Sequence, residues 1–260
     1  MYDTFAPDYD HFVNWPKRLA FEMPFIVSLL EKIPVQNKSP LKILDAACGS
    51  GKHAVALAKR GFEVSAADLS VPMIAKARAN ATEANVALDF KVAGFGAHRQ
   101  AFGEKKFDSV LCLGNSLPHL LTPAELLVAL QDFSACLCPG GLLLLQNRNF
   151  DAVMKNRQRW MEPQADSDGK TEWLFLRFYD FEANGLIRFN IIMLKRPIGG
   201  EWATSIHRTF LAPLLSEDLT KAITAAGFKN LQTYGSLSGE PFSPLSSGNL
   251  VMTAFSAKNK

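Results

Sequence analysis

Along the first 150 residues, short apolar runs alternate with stretches of helical periodicity. Residues 41–47 (LKILDAA) and 62–68 (FEVSAAD) are brief, β-rich and apolar. Between them, Val55, Ala56, Ala58 and Lys59 fit a helix that Gly61 closes, so the spacing predicts a βαβ unit. Ser70 then offers an N-cap, Pro72 falls in the first turn, and Met73 and Ala77 lie one turn apart on the next helix. A further strand reads at 107–113 (FDSVLCL). It is followed by Thr122-Pro123-Ala124-Glu125, which combines an N-cap, a helix-opening proline and a capping-box acid. That helix should run to Leu137, where Pro139-Gly140-Gly141 breaks it and LLLLQN opens another strand. Strands alternating with helices in this order predict an α/β fold with a parallel, doubly wound sheet.

Residues 151–212 change character. WLFLRFYDF and LIRFNIIML flank Glu182-Ala183-Asn184-Gly185, a strong hairpin signal, and Gly199-Gly200 makes a second turn before WATSIHRTFLA. These runs predict an inserted antiparallel element of three strands. A helix capped by Ser216 and ended by Gly227 should follow, with closing strands near 229–234 and 249–257.

Composition narrows the partners. With 260 residues, 48% of them hydrophobic, the chain can bury the core of one large domain carrying an insertion. Its 28 Lys and Arg against 25 Asp and Glu leave only +3, too slight a balance for a nucleic-acid surface. Clusters such as Lys105-Lys106 therefore read as solvated faces. The N-terminal MYDTFAPDYD is acidic where a signal peptide is basic, and no apolar run approaches the roughly 18 residues of a membrane span. A cytoplasmic enzyme without a membrane partner is the expectation. Cys48, Cys112, Cys136 and Cys138 lack zinc spacing and read as reduced and structural, with no metal.

The chemistry starts at Asp45-Ala46-Ala47-Cys48-Gly49-Ser50-Gly51, where the first strand turns into a helix and Ala54 replaces the third glycine of a dinucleotide fingerprint. Glycine lets a ligand approach the backbone closely. Alone, the run can also be a simple tight turn. Asp68 changes its meaning, because it ends the second strand where a carboxylate can accept both ribose hydroxyls of an adenosine cofactor. Charge then separates the cofactors. A dinucleotide brings an anionic pyrophosphate to the helix start, which Asp45 opposes, whereas the amino group and sulfonium of S-adenosylmethionine are cationic.

These residues resemble a known family. ILDAACGSG at 43–51, with Asp68-Leu69-Ser70, Met73 and Ala77, is similar to the first motifs of class I S-adenosylmethionine-dependent methyltransferases, and Pro139-Gly140-Gly141 resembles their turn before the fifth strand. CLGNSLPHL at 112–120 and Arg148-Asn149-Phe150-Asp151 resemble the glycine N-methyltransferase and glycine/sarcosine methyltransferase group. The resemblance implies a Rossmann-like seven-stranded methyltransferase sheet, S-adenosylmethionine as cofactor and S-adenosylhomocysteine as product. It puts Asp45, Gly49 and Gly51 around the methionine moiety, Asp68 on the ribose, and Leu69 and Met73 beside the adenine. Where the family has Asn or Asp before a large aromatic, this chain has Gly94-Phe95; Phe95 retains an apolar face for adenine, but position 94 lacks a side-chain acceptor. His119 resembles a cofactor-contacting position.

For the methyl acceptor, Leu113-Gly114-Asn115-Ser116 ends the fourth strand at the edge where doubly wound sheets hold ligands. The Asn115 carboxamide can orient an amine, and the resemblance assigns Arg148 to the carboxylate of an amino acid. The aromatic stretch from Tyr9 to Arg18 reads either as a cap, with Tyr9 or Trp15 near the sulfonium and Arg18 on the methionine carboxylate, or as a helix packed on the core. Arg177 and Tyr179 are lid candidates. The chain thus divides into an N-terminal aromatic cap segment (1–40), a cofactor-binding α/β core (41–150), an inserted antiparallel lid (151–212) and a C-terminal helix with closing strands (213–260). The expected activity is N-methylation of a small molecule. The alternatives are an RNA methyltransferase, disfavoured by the weak charge, and a nicotinamide-dependent oxidoreductase, disfavoured by Asp45.

Overall fold

A computed structural model describes residues 2–34 and 39–257. Residue 1, residues 35–38 of the N-terminal segment and residues 258–260 lie outside the described residues. The main sheet contains β1 (Lys42–Asp45), β2 (Glu63–Asp68), β3 (Asp89–Val92), β4 (Phe107–Cys112), β5 (Leu137–Arg148), β10 (Lys229–Tyr234) and β11 (Asn249–Phe255). Their order is β10-β11-β5-β4-β1-β2-β3, with β11 antiparallel to both neighbours. The inner strands β1, β2, β4, β5 and β11 are buried over most of their length because helices cover both faces, while the edge strands β3 and β10 are polar and more exposed. Ile43 packs with Met23, Leu57 and Ile74 on one side. Leu44, the next residue, packs with Leu130, Phe133 and Ile223 on the other. The first layer comes from α2 (Trp15–Leu30), α3 (Lys52–Ala58) and α4 (Val71–Glu83), and the second from α5 (His98–Phe102), α6 (Pro123–Cys136) and α8 (Ser216–Ala225). The remaining α-helices among the described residues are α1 (Tyr2–Phe5) and α7 (Phe150–Asn156), and short 3-10 turns cover Ala6–His11 and Leu117–His119.

The helix starts follow their capping chemistry. Ser70 Oγ accepts the Met73 amide, and Thr122 and Glu125 complete a reciprocal capping box. Ser216, expected as a cap, is instead the first helical residue of α8; Leu215 stands at the cap position and contributes no side-chain bond. The freed Ser216 amide donates to Asp151 Oδ2 at 3.0 Å, a partner 65 residues away. Pro139-Gly140-Gly141 also differs from its expected place. β5 starts at Leu137, directly after α6, and carries these residues as an irregularity where its register with β4 shifts.

The insertion is a second sheet, order β6-β7-β8-β9, built from β6 (Gln164–Ser167), β7 (Thr171–Phe181), β8 (Ile187–Pro197) and β9 (Ala203–Leu211). It has four strands where three were expected. The sequence of β6, QADS, is mostly exposed at the sheet edge, so no apolar alternation marks it. Among the described residues, no helix is long and apolar enough to cross a membrane. The carboxyl ends of β1, β2, β4 and β5 meet along one edge of the main sheet, with the topological switch between β1 and β4.

Candidate active site

The loop after β1 is stitched to both neighbouring strands. Ala46 N donates to Leu111 O and Cys48 N to Ala67 O, each at 2.8 Å. Gly49 adopts φ +53°, and its amide donates to Asp68 Oδ2 at 2.8 Å, while Ser70 N donates to Asp68 Oδ1 at 2.9 Å. Asp68 is therefore aimed by two backbone amides before any ligand arrives, and each oxygen retains a lone pair for a hydroxyl.

Above this loop sits a cavity of about 430 Å³. Asp45 and Gly49 line its floor; Asp68, Leu69 and Met73 one wall; Gly94 and Phe95 the end; Leu113 and His119 the opposite wall. Tyr9, Trp15 and Arg18 close it from above. A Cβ on Gly49 would stand 3.6 Å from the Tyr9 ring, so this face of the loop is roofed by the N-terminal segment. At Gly94 a Cβ would meet Leu69 Cδ1 at 3.1 Å, a tight approach to which the exposed Leu69 side chain would have to yield. Three expected site residues lie outside the lining. Gly51, with φ +76°, would bring a Cβ to 2.9 Å from Ala77 Cβ, so its glycine serves the approach of α3 to α4. Asn115 stands between the lining residues Gly114 and Ser116, and its Oδ1 accepts the Arg148 amide at 2.8 Å. Arg148 thus sits behind the rim at the end of β5.

Four supporting residues escaped the sequence reading. Arg18 Nε donates to both carboxylate oxygens of Glu22, at 3.0 and 3.1 Å, and His53 Nε2 lies 2.6 Å from Glu22 Oε2. The i,i+4 spacing of Arg18 and Glu22 was a usable signal; His53, 31 residues further on, gave none. On the other side of the sheet, buried His98 lies 2.9 Å from Asp132 Oδ2 through Nδ1 and 2.9 Å from Ala46 O through Nε2. A carbonyl only accepts, so Nε2 carries hydrogen and holds the peptide next to Asp45.

Electrostatics suit a ligand with cationic and anionic ends. Burial, aided by the charge of Asp68, raises the Asp45 pKa to about 7, and burial also raises that of Asp68. Both carboxylates would be relieved by a cation. Burial lowers the His119 pKa to about 4, leaving a neutral imidazole at pH 7, and raises that of Tyr9 to about 12. Trp15 Nε1 is buried without a hydrogen-bond partner in a residue that lines the cavity, beside the Arg18 guanidinium. An unpaired donor beside a guanidinium fits a ligand carboxylate, and Asp68 fits a vicinal diol. The residues present therefore fit S-adenosylmethionine.

A methyltransferase-domain family matches residues 43–141, from β1 to the glycines of β5. The chain thus carries a methyltransferase domain and is an S-adenosylmethionine-dependent methyltransferase. Within that class it is similar to glycine/sarcosine N-methyltransferases. It is 27% identical to that of Aphanothece halophytica, over 90% of this chain and 81% of the relative. With that of Halorhodospira halochloris it shares 33% identity over 58% of this chain, and it spans about half of that relative, 54%. The crystal structure of a S-adenosylmethionine-dependent methyltransferase from Clostridium acetobutylicum shares the fold, with a TM-score of 0.76 at 18% identity, covering 98% of this chain and 99% of that one.

Proposed function

We propose that this methyltransferase acts on the nitrogen of a small amino acid in the cytoplasm. The carrying observation is the Asn115–Arg148 link. Asn115 is held at φ +65°, an uncommon conformation that places its carboxamide between the cavity rim and the end of β5. Because Arg148 N can only donate, the atom facing it is Oδ1, whose second lone pair remains for an amine N–H. Among the described residues Arg148 forms no ion pair with a carboxylate; its Nη2 donates to Gln158 Oε1 at 3.4 Å. An acceptor carboxylate on this guanidinium would place its amine at Asn115. The relatives' names support the reading, since they are glycine/sarcosine N-methyltransferases.

The cofactor supplies an electrophilic methyl. In this reading Asp45 holds its amino group, Arg18 and Trp15 its carboxylate, and Asp68 its ribose. Leu69, Met73 and Phe95 flank its adenine, with Gly94 closing the end; Gly49, Leu113 and His119 pack along it, and Gly51 sets the loop from behind. The chain then contributes alignment of the amine lone pair and exclusion of water. Residues 1–40 act as cap and 151–212 as lid on the 41–150 core, which 213–260 completes.

The test compares transfer to glycine and sarcosine with transfer to methylamine and dimethylamine, for wild type and Arg148→Lys. Carboxylated acceptors should be favoured at least tenfold. Arg148→Lys should lose most of that activity, because one ammonium does not reproduce two parallel hydrogen bonds. Equal rates for both acceptor types would refute the amino-acid reading and leave the methyltransferase standing.

A further inference from the structure

A second cation, Arg177, lies near enough to Arg148 to feel its charge. Alternation along β7 puts Arg177 and Tyr179 on one face of the second sheet. The register Tyr179–Phe189–Thr209 shows that this face also carries Thr209, which lines the cofactor cavity. The segment after α7 ties Arg148 and Arg177 together. Gln158 meets the Arg148 guanidinium, Arg159 O accepts the Tyr179 amide at 2.9 Å, and Met161 N donates to Arg177 O at 3.2 Å. Tyr179 is buried against Phe150, two residues beyond Arg148, with ring centroids 6.3 Å apart. The Arg177 guanidinium lies 5.1 Å from the centre of the Phe12 ring, which neighbours Tyr9 in the cavity roof.

The charge at this place is unbalanced. Arg177 Nη2 donates to the Glu162 carbonyl, but its Nε is buried without a partner. Among the described residues, neither Arg148 nor Arg177 forms an ion pair with a carboxylate. Burial lowers the Arg177 pKa; Tyr179 opposes the fall and the Arg148 charge adds to it. The Tyr179 hydroxyl, its pKa raised by burial to about 12, stays protonated and able to donate. Two neighbouring guanidiniums with an unused buried N–H repel one another until an anion lies between them.

We propose that Arg177 and the Tyr179 hydroxyl form a second anion-binding position next to Arg148, so that the preferred acceptor is an amine carrying two negative charges. This rests on Arg148 holding an acceptor carboxylate. Two chemistries supply such a charge: an amino acid with a second carboxylate, or an aminophosphonate.

The experiment measures kcat/KM for methyl transfer to aspartate, glutamate, aminomethylphosphonate, glycine and methylamine. At least one doubly charged amine should exceed glycine tenfold or more, and which one identifies the source of the charge. Arg177→Gln should lower kcat/KM for that amine at least tenfold more than it lowers glycine's. Should the variant fail to fold, the wild-type ranking decides alone. Glycine matching or exceeding every doubly charged amine, while still exceeding methylamine, overturns the second anion position alone. Methylamine equal to glycine overturns the Arg148 reading and this inference with it.

Discussion

Asp45 is a buried carboxyl that costs the fold and lines the cavity. Its carboxyl ordinarily titrates near 3.8, and burial raises it to about 7, so the charged form is the disfavoured one in the ligand-free protein. A raised carboxyl pKa means that this group destabilises the fold increasingly as pH climbs from about 4 to 7, by on the order of 4 kcal/mol in all. If Asp45 holds the cofactor's amino group as proposed, ligand binding inverts the preference, because a cationic amino group stabilises the carboxylate. Affinity for S-adenosylhomocysteine should therefore fall as pH drops below 7, and binding at pH 6 should release a proton. Calorimetry in buffers of different ionisation enthalpy reads that proton directly. Asp45→Asn should raise the ligand-free Tm at pH 8 by several degrees while weakening S-adenosylhomocysteine at least tenfold; a loss of both would remove Asp45 from the ligand. Asp45, Gly49 and Asp68 were legible in the sequence because strand ends and a glycine turn place them. Gly51 was legible as a glycine, though not its reason, since Ala77 meets it from another helix. His98 and Asp132 were silent because their pairing spans 34 residues and two helices.

At the scale of elements, the N-terminal segment is a strap tied at both ends of its span. Asp8 Oδ1 accepts from Trp173 Nε1 at 2.8 Å and from Lys195 Nζ at 2.7 Å on the second sheet. His11 stacks on Trp173 with centroids 3.6 Å apart and reaches Asp166 on β6. Towards the core, Lys76 Nζ donates to Pro7 O at 2.9 Å and Asn80 Nδ2 to Asp10 Oδ2 at 3.1 Å, both from α4. Asp8→Ala leaves a buried indole N–H and an ammonium without their acceptor, a loss of about 1–3 kcal/mol that the strap bears locally. S-adenosylhomocysteine should then dissociate several-fold faster, with faster hydrogen exchange over residues 5–12. An unchanged dissociation rate would show that the strap does not gate the cavity. The aromatic richness of this stretch was visible in the sequence; Tyr9 and Trp15 line the cavity, and α2, which begins at Trp15, packs Met23 and Ile26 into the core further along. Strand β6 was not visible, because an exposed edge strand needs no apolar alternation.

For the whole molecule, the cavity is where separate pieces of the chain converge. The cavity draws residues from the loops of the main sheet, from the N-terminal segment and, through Thr209, from the second sheet. A ligand that binds only the folded chain stabilises it by about 2.7 kcal/mol at a hundredfold excess over its Kd. For a chain of this size, S-adenosylhomocysteine at that excess should raise Tm by about 5–10 °C, whereas NAD should produce no shift. Periodicity disclosed the order of strands and helices, because burial on both faces leaves continuous apolar runs. It did not disclose how the second sheet sits over the site, since that arrangement depends on contacts between residues more than 150 positions apart.

The strap also makes a prediction about the order of events. Tyr9 covers the glycine loop, while Asn115 and Arg148 stand at the rim by the end of β5. If the strap gates the cavity and the rim holds the methyl acceptor, the cofactor should enter first and its spent form leave last. Each methyl transferred would then need one opening of the strap, and the opening rate, measured independently, should set the ceiling on kcat.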